Sequence, residues 1–271
     1  MNTYLQQSKD FIKKSLARSE IINPFRTLFK EVEFETLAYC NRKCEYCPNV
    51  DWERFGDDES FFMKDEVFRA LIQQLKDLGF SGQIAPHMYG EPLSDPRLTK
   101  WMAYIRKNLP DSKIKVVTNG DFLSKQKYDE LIESGVNVFF ISIHSKKLKK
   151  ICLDMLDQLT EQEKSVHIII NDFYNDYKED QIMFANRGGD IDLKTKEKKI
   201  PPTNCVYATY PVINTFGDLV LCCQDYHNNY IFGNIMERHL GDIWYDPSNM
   251  NLRKRIFKSK FDIQICQDCL M

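Results

Sequence analysis

Short runs of β-branched and aromatic residues alternate with longer stretches whose apolar positions recur every three to four residues, from Val32 to Ala185. The β-like runs are residues 32–37, 82–88, 113–118, 136–143, 166–171 and 181–185. Helical patterns occupy residues 64–78, 96–108, 124–134 and 146–163. The first carries Val67, Phe68, Leu71, Ile72, Leu75 and Leu78 on one stripe and stops at Gly79. Asp95-Pro96 supplies a capping residue followed by a proline suited to a first helical turn. Strands joined by helix-length crossovers predict an α/β fold, a parallel sheet with helices outside it. Six strands are too few for a closed eight-stranded barrel and suit an open, partial one.

Outside this alternation the pattern changes. Residues 1–31 precede the first strand as a helical extension, with Leu5, Phe11, Ile12 and Leu16 forming an amphipathic stripe that would dock on the body. Residues 32–200 form the barrel region. Its end, from Arg187 to Pro202, is rich in Gly and Lys and reads as a linker. Residues 201–271 form a second, smaller unit that carries five of the nine cysteines.

Composition narrows the function. With 43% hydrophobic and 28% charged residues the chain is ordinary globular protein. A net charge of −2 gives no electrostatic case for nucleic acid or an anionic membrane. No apolar run approaches the ~20 residues of a membrane span, and no signal-peptide core opens the chain. Nine cysteines without a secretion signal point to metal binding or catalysis in a reducing cytoplasm rather than to a disulfide framework.

Cys40, Cys44 and Cys47 make a C-x3-C-x2-C triplet directly after the first strand. Three thiolates leave one iron of a cubane cluster without a protein ligand, whereas a ferredoxin closes its cluster with a fourth cysteine. Zinc knuckles pair C-x2-C with a second pair nearby, and none follows within forty residues. The triplet resembles that of the radical SAM superfamily, in which S-adenosylmethionine (SAM) chelates the open iron of a [4Fe-4S] cluster.

The resemblance implies a partial (β/α)6 barrel and a set of SAM-binding positions. Tyr46 occupies the aromatic position before the third cysteine, beside the adenine. Tyr89-Gly90-Glu91-Pro92 stands where the superfamily has a Gly-Gly-Glu-Pro-like motif, with Tyr89 replacing the first Gly. Gly90 and Glu91 would hold the SAM amino group, a charge-assisted hydrogen bond. Asn119 and Ser142, at the ends of the third and fourth strands, would lie around the SAM site. His144 sits where many relatives carry Asp. Cys152, within a helical pattern, reads as a buried, inert thiol.

The C-terminal stretch from Cys205 to Cys269 resembles the SPASM/twitch extension of the same superfamily, a small α+β domain. Two β-like runs turn at Gly217-Asp218 and end on Cys222-Cys223, and a helical stretch spans residues 243–256. Cys205, Cys266, Cys269 and one of the adjacent pair could close one auxiliary [4Fe-4S] cluster. Neighbouring strand residues face opposite sides, so only one of the pair reaches the metal; the resemblance favours Cys223. A zinc-ribbon-like site would use the same thiolates.

By resemblance, SAM is cleaved reductively to a 5′-deoxyadenosyl radical that abstracts hydrogen from a substrate. One SAM cluster with one auxiliary cluster is similar to the radical dehydrogenases that oxidise an alcohol of an aminocyclitol or sugar, the auxiliary cluster accepting an electron. A flavodoxin or ferredoxin would supply the reducing electron. Arg187 is the candidate catalytic residue for binding or deprotonating the substrate, although its high pKa makes it a poor base. Three alternatives stand beside this reading. Peptide modification commonly needs a leader-binding domain, for which residues 1–31 are too short. Sugar epimerisation needs a hydrogen donor, such as Cys222 or Cys152. A non-catalytic iron-sulfur or zinc protein is the third.

Overall fold

In the run Glu31-Val32-Glu33-Phe34-Glu35, charged and apolar residues alternate strictly, and a strand turns that alternation into two unlike faces. The computed structural model describes residues 28–50, 62–178, 186–191 and 205–269. Strand β1 (Glu31–Phe34) buries Val32 and Phe34 in the main apolar core and turns Glu33 into a cavity on the other side. It pairs in parallel with β2 (Gln83–Pro86), which pairs with β3 (Lys113–Thr118). β4 (Val138–Ser142) and β5 (Ile168–Asn171) continue the parallel order to one edge.

The core lies between this sheet and its helices. Helix α1 (Asp65–Asp77) buries Val67, Phe68, Leu71, Ile72 and Leu75, each worth roughly 1.5–3 kcal/mol. Helix α2 (Leu98–Asn108) packs beside it, and Trp101 stacks on Phe68 with ring centres 4.0 Å apart. Helices α3 (Lys125–Glu133), α4 (Lys150–Gln158) and α5 (Glu161–His167) complete the crossovers, and α6 (Phe173–Lys178) follows β5.

Two helices predicted in the barrel region have different bounds. Asp95 does not cap a helix beginning at Pro96. Its carboxylate accepts from the Arg97 backbone at 2.9 Å and pairs with the Arg97 guanidinium, so the turn is spent there and α2 starts at Leu98. The stretch predicted over 146–163 divides into α4 and α5, because Thr160 and Glu163 form a reciprocal capping box that starts a new helix.

The sixth parallel place in the sheet is filled from the C-terminal segment. β6 (Val212–Ile213) adds to the free edge of β1, and β7 (Asp218–Val220) and β8 (Ile231–Asn234) extend it antiparallel. The order is β5-β4-β3-β2-β1-β6-β7-β8. Gly217 makes the β6–β7 turn with φ +86°, which glycine adopts without strain. Beyond the sheet lie α7 (Leu240–Trp244), α8 (Pro247–Phe257) and α9 (Gln264–Asp268). The helix predicted over 243–256 is thus two, divided where Asp246 accepts from the Ser248 backbone and Pro247 opens α8. The stripe of Leu5, Phe11, Ile12 and Leu16, the run at 181–185 and linker residues 192–202 lie outside the described residues.

Candidate active site

The parallel strands end on a cavity of about 250 Å³ bordered by Cys40, Cys44 and Cys47. The cysteine loop leaves β1 and is held by backbone and side-chain bonds to the next two strand ends. Glu91 donates its backbone N–H to the Tyr39 carbonyl at 2.9 Å. Gly90 lies so close that a Cβ there would stand 1.9 Å from the Leu37 carbonyl oxygen. This contact explains the glycine. Tyr89 faces no such restriction, and its ring packs edge-on against Tyr226 at 4.7 Å. The departure from Gly-Gly-Glu-Pro therefore falls at the position that tolerates a side chain.

The Glu91 carboxylate accepts from Thr118 Oγ1 at 2.6 Å, from the Asn119 backbone at 2.8 Å and from the Leu93 backbone at 3.0 Å. It thereby ties the ends of β2 and β3 together. A carboxylate has about four acceptor positions, so one stays open toward the cavity for a further donor. Burial pushes its pKa up to about 7, opposed by these same hydrogen bonds. Asn119 reaches the cysteine loop, donating to Asn41 at 2.8 Å, with its amide 3.9 Å from the Cys40 sulfur.

Arg42 clamps the loop from the other side. Its guanidinium makes two bonds to Asp121, at 2.6 and 2.8 Å, and one to Ser145 at 3.1 Å. Asn41 and Lys149 also engage Asp121. Losing the paired charge-assisted bonds in Arg42→Ala is expected to cost about 2 kcal/mol of local order. The checks are iron retained after reconstitution, which should fall, and far-UV circular dichroism, which should not change.

Tyr46 and His144 form one unit. Tyr46 Oη is 2.6 Å from His144 Nδ1, and the imidazole stacks on Phe173 with an interplanar angle of 7°. Burial, with Arg42 and Arg187 nearby, lowers the His144 pKa to about 4, so the ring is neutral at neutral pH. Ser142 ends β4 on the same wall. Arg187 enters from the far side of the sequence, in a left-handed backbone conformation (φ 54°). Its guanidinium lies 5.8 Å from the Tyr89 ring centre and bonds Gln224 at 3.4 Å, while its Nε has no hydrogen-bond partner among the described residues.

Among the charged and titratable residues bordering the cavity, four are absent from the sequence-based set: Glu33, Arg42, His87 and Lys115. For Glu33 and Lys115 the signal was the charge alternation in β1 and β3, which reads equally well as a strand with one wet face. Lys115 pairs with Glu31 at 2.8 Å, and Gln83 donates to the same oxygen.

The C-terminal thiols gather behind this cavity. Cys205 opens a single 3-10 turn, Cys222 and Cys223 follow β7, Cys266 lies in α9 and Cys269 ends it. Cys205, Cys222 and Cys266 pack against a satellite apolar cluster of Ala208, Leu221, Ile256 and Ile265. Cys223 packs against the main core instead, with the Gln224 amide 3.7 Å from its sulfur. The adjacent pair is thus split between two environments. Cys152 is fully buried behind Gly120, its sulfur 3.1 Å from where a Gly120 Cβ would stand.

Residues 34–147 match the radical SAM superfamily, and residues 205–270 match SPASM, an iron-sulfur cluster-binding domain. The chain is 30% identical over 247 residues to the S-adenosyl-L-methionine-dependent 2-deoxy-scyllo-inosamine dehydrogenase of Niallia circulans, covering 89% of this chain and 93% of that protein. It belongs to the radical SAM superfamily. The crystal structure of BtrN in complex with AdoMet and 2-DOIA superposes with a TM-score of 0.78 at 28% identity, covering 90% of this chain and 93% of that one. The structure of anSMEcpe with bound AdoMet shares the fold, with a TM-score of 0.55 at 16% identity over 84% of this chain and 80% of that one.

A radical SAM core and a SPASM domain call for a [4Fe-4S] cluster, SAM and an auxiliary cluster, and the donor chemistry fits. The triplet thiols border one cavity and influence one another: burial, then neighbouring groups, pushes Cys40 up to about 12 and Cys44 up to about 11. No three His, Cys, Asp or Glu side chains among the described residues converge as a site for a single ion. No described helix is long and apolar enough to cross a membrane.

Proposed function

We propose that this radical SAM protein oxidises an alcohol carbon of a small polyol, a sugar or an aminocyclitol, to a ketone. One observation carries the reading. The cavity bordered by Cys40, Cys44 and Cys47 also holds Arg187, whose guanidinium is bonded to Gln224, the neighbour of Cys223. Arg187 thus joins the wall of that cavity to the residue next to Cys223. When bound, the first cluster with SAM supplies a hydrogen-abstracting radical, and the second cluster supplies an electron acceptor.

The residues divide the remaining work. Cys40, Cys44 and Cys47 hold the first cluster; Cys205, Cys266, Cys269 and one of Cys222 and Cys223 hold the second. Gly90, Glu91, Asn119 and Ser142 bind SAM, with Tyr46 and its hydrogen-bonded His144 forming the adenosine wall. Arg187 hydrogen-bonds the alcohol oxygen and stays charged, since guanidinium is a poor base. The buried walls exclude water from the carbon being attacked. A reduced flavodoxin or ferredoxin in the cytoplasm delivers the starting electron.

The placement of the spare thiols supports dehydrogenation over epimerisation. Neither Cys152 nor Cys222 is among the described residues that border the cavity, so neither is poised to return a hydrogen atom to the substrate. The test is turnover of 2-deoxy-scyllo-inosamine in deuterated water with the reconstituted, reduced enzyme. The expected result is a carbonyl product, one 5′-deoxyadenosine per product, and no solvent deuterium on the reacting carbon. Deuterium incorporation with inverted configuration would replace this reading with epimerisation.

A further inference from the structure

The cysteine loop is braced on its outer side by a strongly basic segment. Residues 146–150 contribute four lysines, all exposed, to a chain whose net charge is −2. A short chain of bonds joins them to the loop. Ser145 Oγ accepts from Arg42 at 3.1 Å and donates to the Lys147 carbonyl at 2.9 Å. Lys149 Nζ lies 3.3 Å from Asp121, the carboxylate that holds Arg42. The Arg42 backbone N–H in turn points at the Cys40 sulfur, 3.5 Å away.

This charge is not neutralised from within. Lys149 pairs with Asp121 and Lys150 with Asp154, whereas Lys146 and Lys147 have no carboxylate partner among the described residues. Helix α4 opens with no acidic residue in its first turn, and Lys149 precedes it without a side-chain cap. Cations there oppose the helix dipole, so the local fold gains nothing from them. Beside them Phe122 is 42% exposed, its ring centre 6.0 Å from Lys149 Nζ. An exposed aromatic rimmed by like charges suits a protein surface of opposite charge.

We propose that the lysines of residues 146–150, with Phe122, are the docking surface for an acidic one-electron carrier protein that reduces the first cluster from outside. This rests on the reading above, in which that cluster receives an electron from a protein donor, and adds where the donor binds. The carrier loses one electron and the cluster gains it; no bond is made or broken and no proton moves in the docking step. The cavity side of the cysteine loop is left to SAM and substrate. Lys146 and Lys147 steer and hold the partner, while Lys149 also serves the clamp on the loop through Asp121.

Two measurements on the anaerobically reconstituted enzyme, with an acidic flavodoxin as the probe, test this. The first is calorimetric binding of the oxidised flavodoxin, which transfers no electron. The second is 5′-deoxyadenosine formation driven either by reduced flavodoxin or by dithionite, which needs no docking site. The double variant Lys146→Glu/Lys147→Glu is expected to bind flavodoxin, and to use it, on the order of 10- to 100-fold less well at low ionic strength. Its dithionite-driven cleavage should match the wild type. Added salt should weaken wild-type binding and change the variant's little. Lys254→Glu/Lys258→Glu, at exposed positions of α8, makes the same change in net charge and should behave as wild type. Equal effects of the two double variants would overturn the docking surface, because net charge alone would then explain them. Unchanged flavodoxin binding in Lys146→Glu/Lys147→Glu, or an equal loss of its dithionite-driven cleavage, also overturns it. So does loss of binding to phosphatidylserine vesicles with flavodoxin binding intact, which would assign the patch to a membrane. A wild type that cleaves no SAM with dithionite overturns the underlying reading instead, while the calorimetry still decides the docking surface.

Discussion

Gly90→Ala is expected to abolish SAM binding and to destabilise the protein by on the order of 3 kcal/mol, the upper range for overpacking a rigid site. The added Cβ would stand 1.9 Å from the Leu37 carbonyl oxygen and 2.8 Å from its carbon, both backbone atoms that no rotamer change can move. Relief requires parting the cysteine loop from the β2 end. That parting would also break the Glu91 N–H bond to Tyr39 and displace the carboxylate joining β2 to β3. Gly79→Ala makes the control. Its φ is +64° but nothing lies within 4 Å, so the cost should be only the backbone strain of about 1–2 kcal/mol, with SAM affinity unchanged. Urea unfolding and SAM titration measure the pair. Equal behaviour of the two variants would show that the loops can separate at little cost.

Cys40→Ala and Cys266→Ala are expected to fail at different stages. On the proposed ligand set, Cys40→Ala removes one of three ligands of the open-iron cluster, and 5′-deoxyadenosine formation should drop to background. Without Cys266 the first site is intact, so SAM cleavage should persist while oxidised product is lost. Iron should fall from about eight per chain to about four in each variant. Chromatographic quantitation of 5′-deoxyadenosine and product, beside iron analysis, distinguishes the cases. Equal loss of cleavage and product in Cys266→Ala would assign the second cysteine set a purely structural role.

Much of the fold and of the cofactor chemistry was legible because it is local. The triplet is eight residues long, and its spacing alone limits which thiolates can share a cluster. Helix α1 was legible from its stripe, and all six of its predicted apolar positions face inward or are packed against the core. Boundaries were less legible where side chains compete with the pattern, as Asp95 does at Arg97 and Thr160 does within the stretch predicted as one helix. The adjacent cysteines show the same limit: alternation says that Cys222 and Cys223 diverge, but only packing shows Cys222 beside Cys205 and Cys266 and Cys223 against the main core.

By itself, then, the order of residues determined the alternation of strands and helices, the cysteine sets and the Gly-Glu pair that meets the first of them. Each depends on spacings of a few residues, which helix and strand geometry convert directly into position. The tertiary structure decided where the charged face of β1 and β3 lies. A period of two assigns Glu33 and Lys115 to one side of a strand without saying whether that side meets water or a cavity. The answer comes from the parallel neighbours of β1, from Arg187 arriving more than one hundred and fifty residues later, and from β6 closing the remaining edge of β1. Burial then makes the unpartnered Glu33 oxygen costly, where on a surface water would satisfy it.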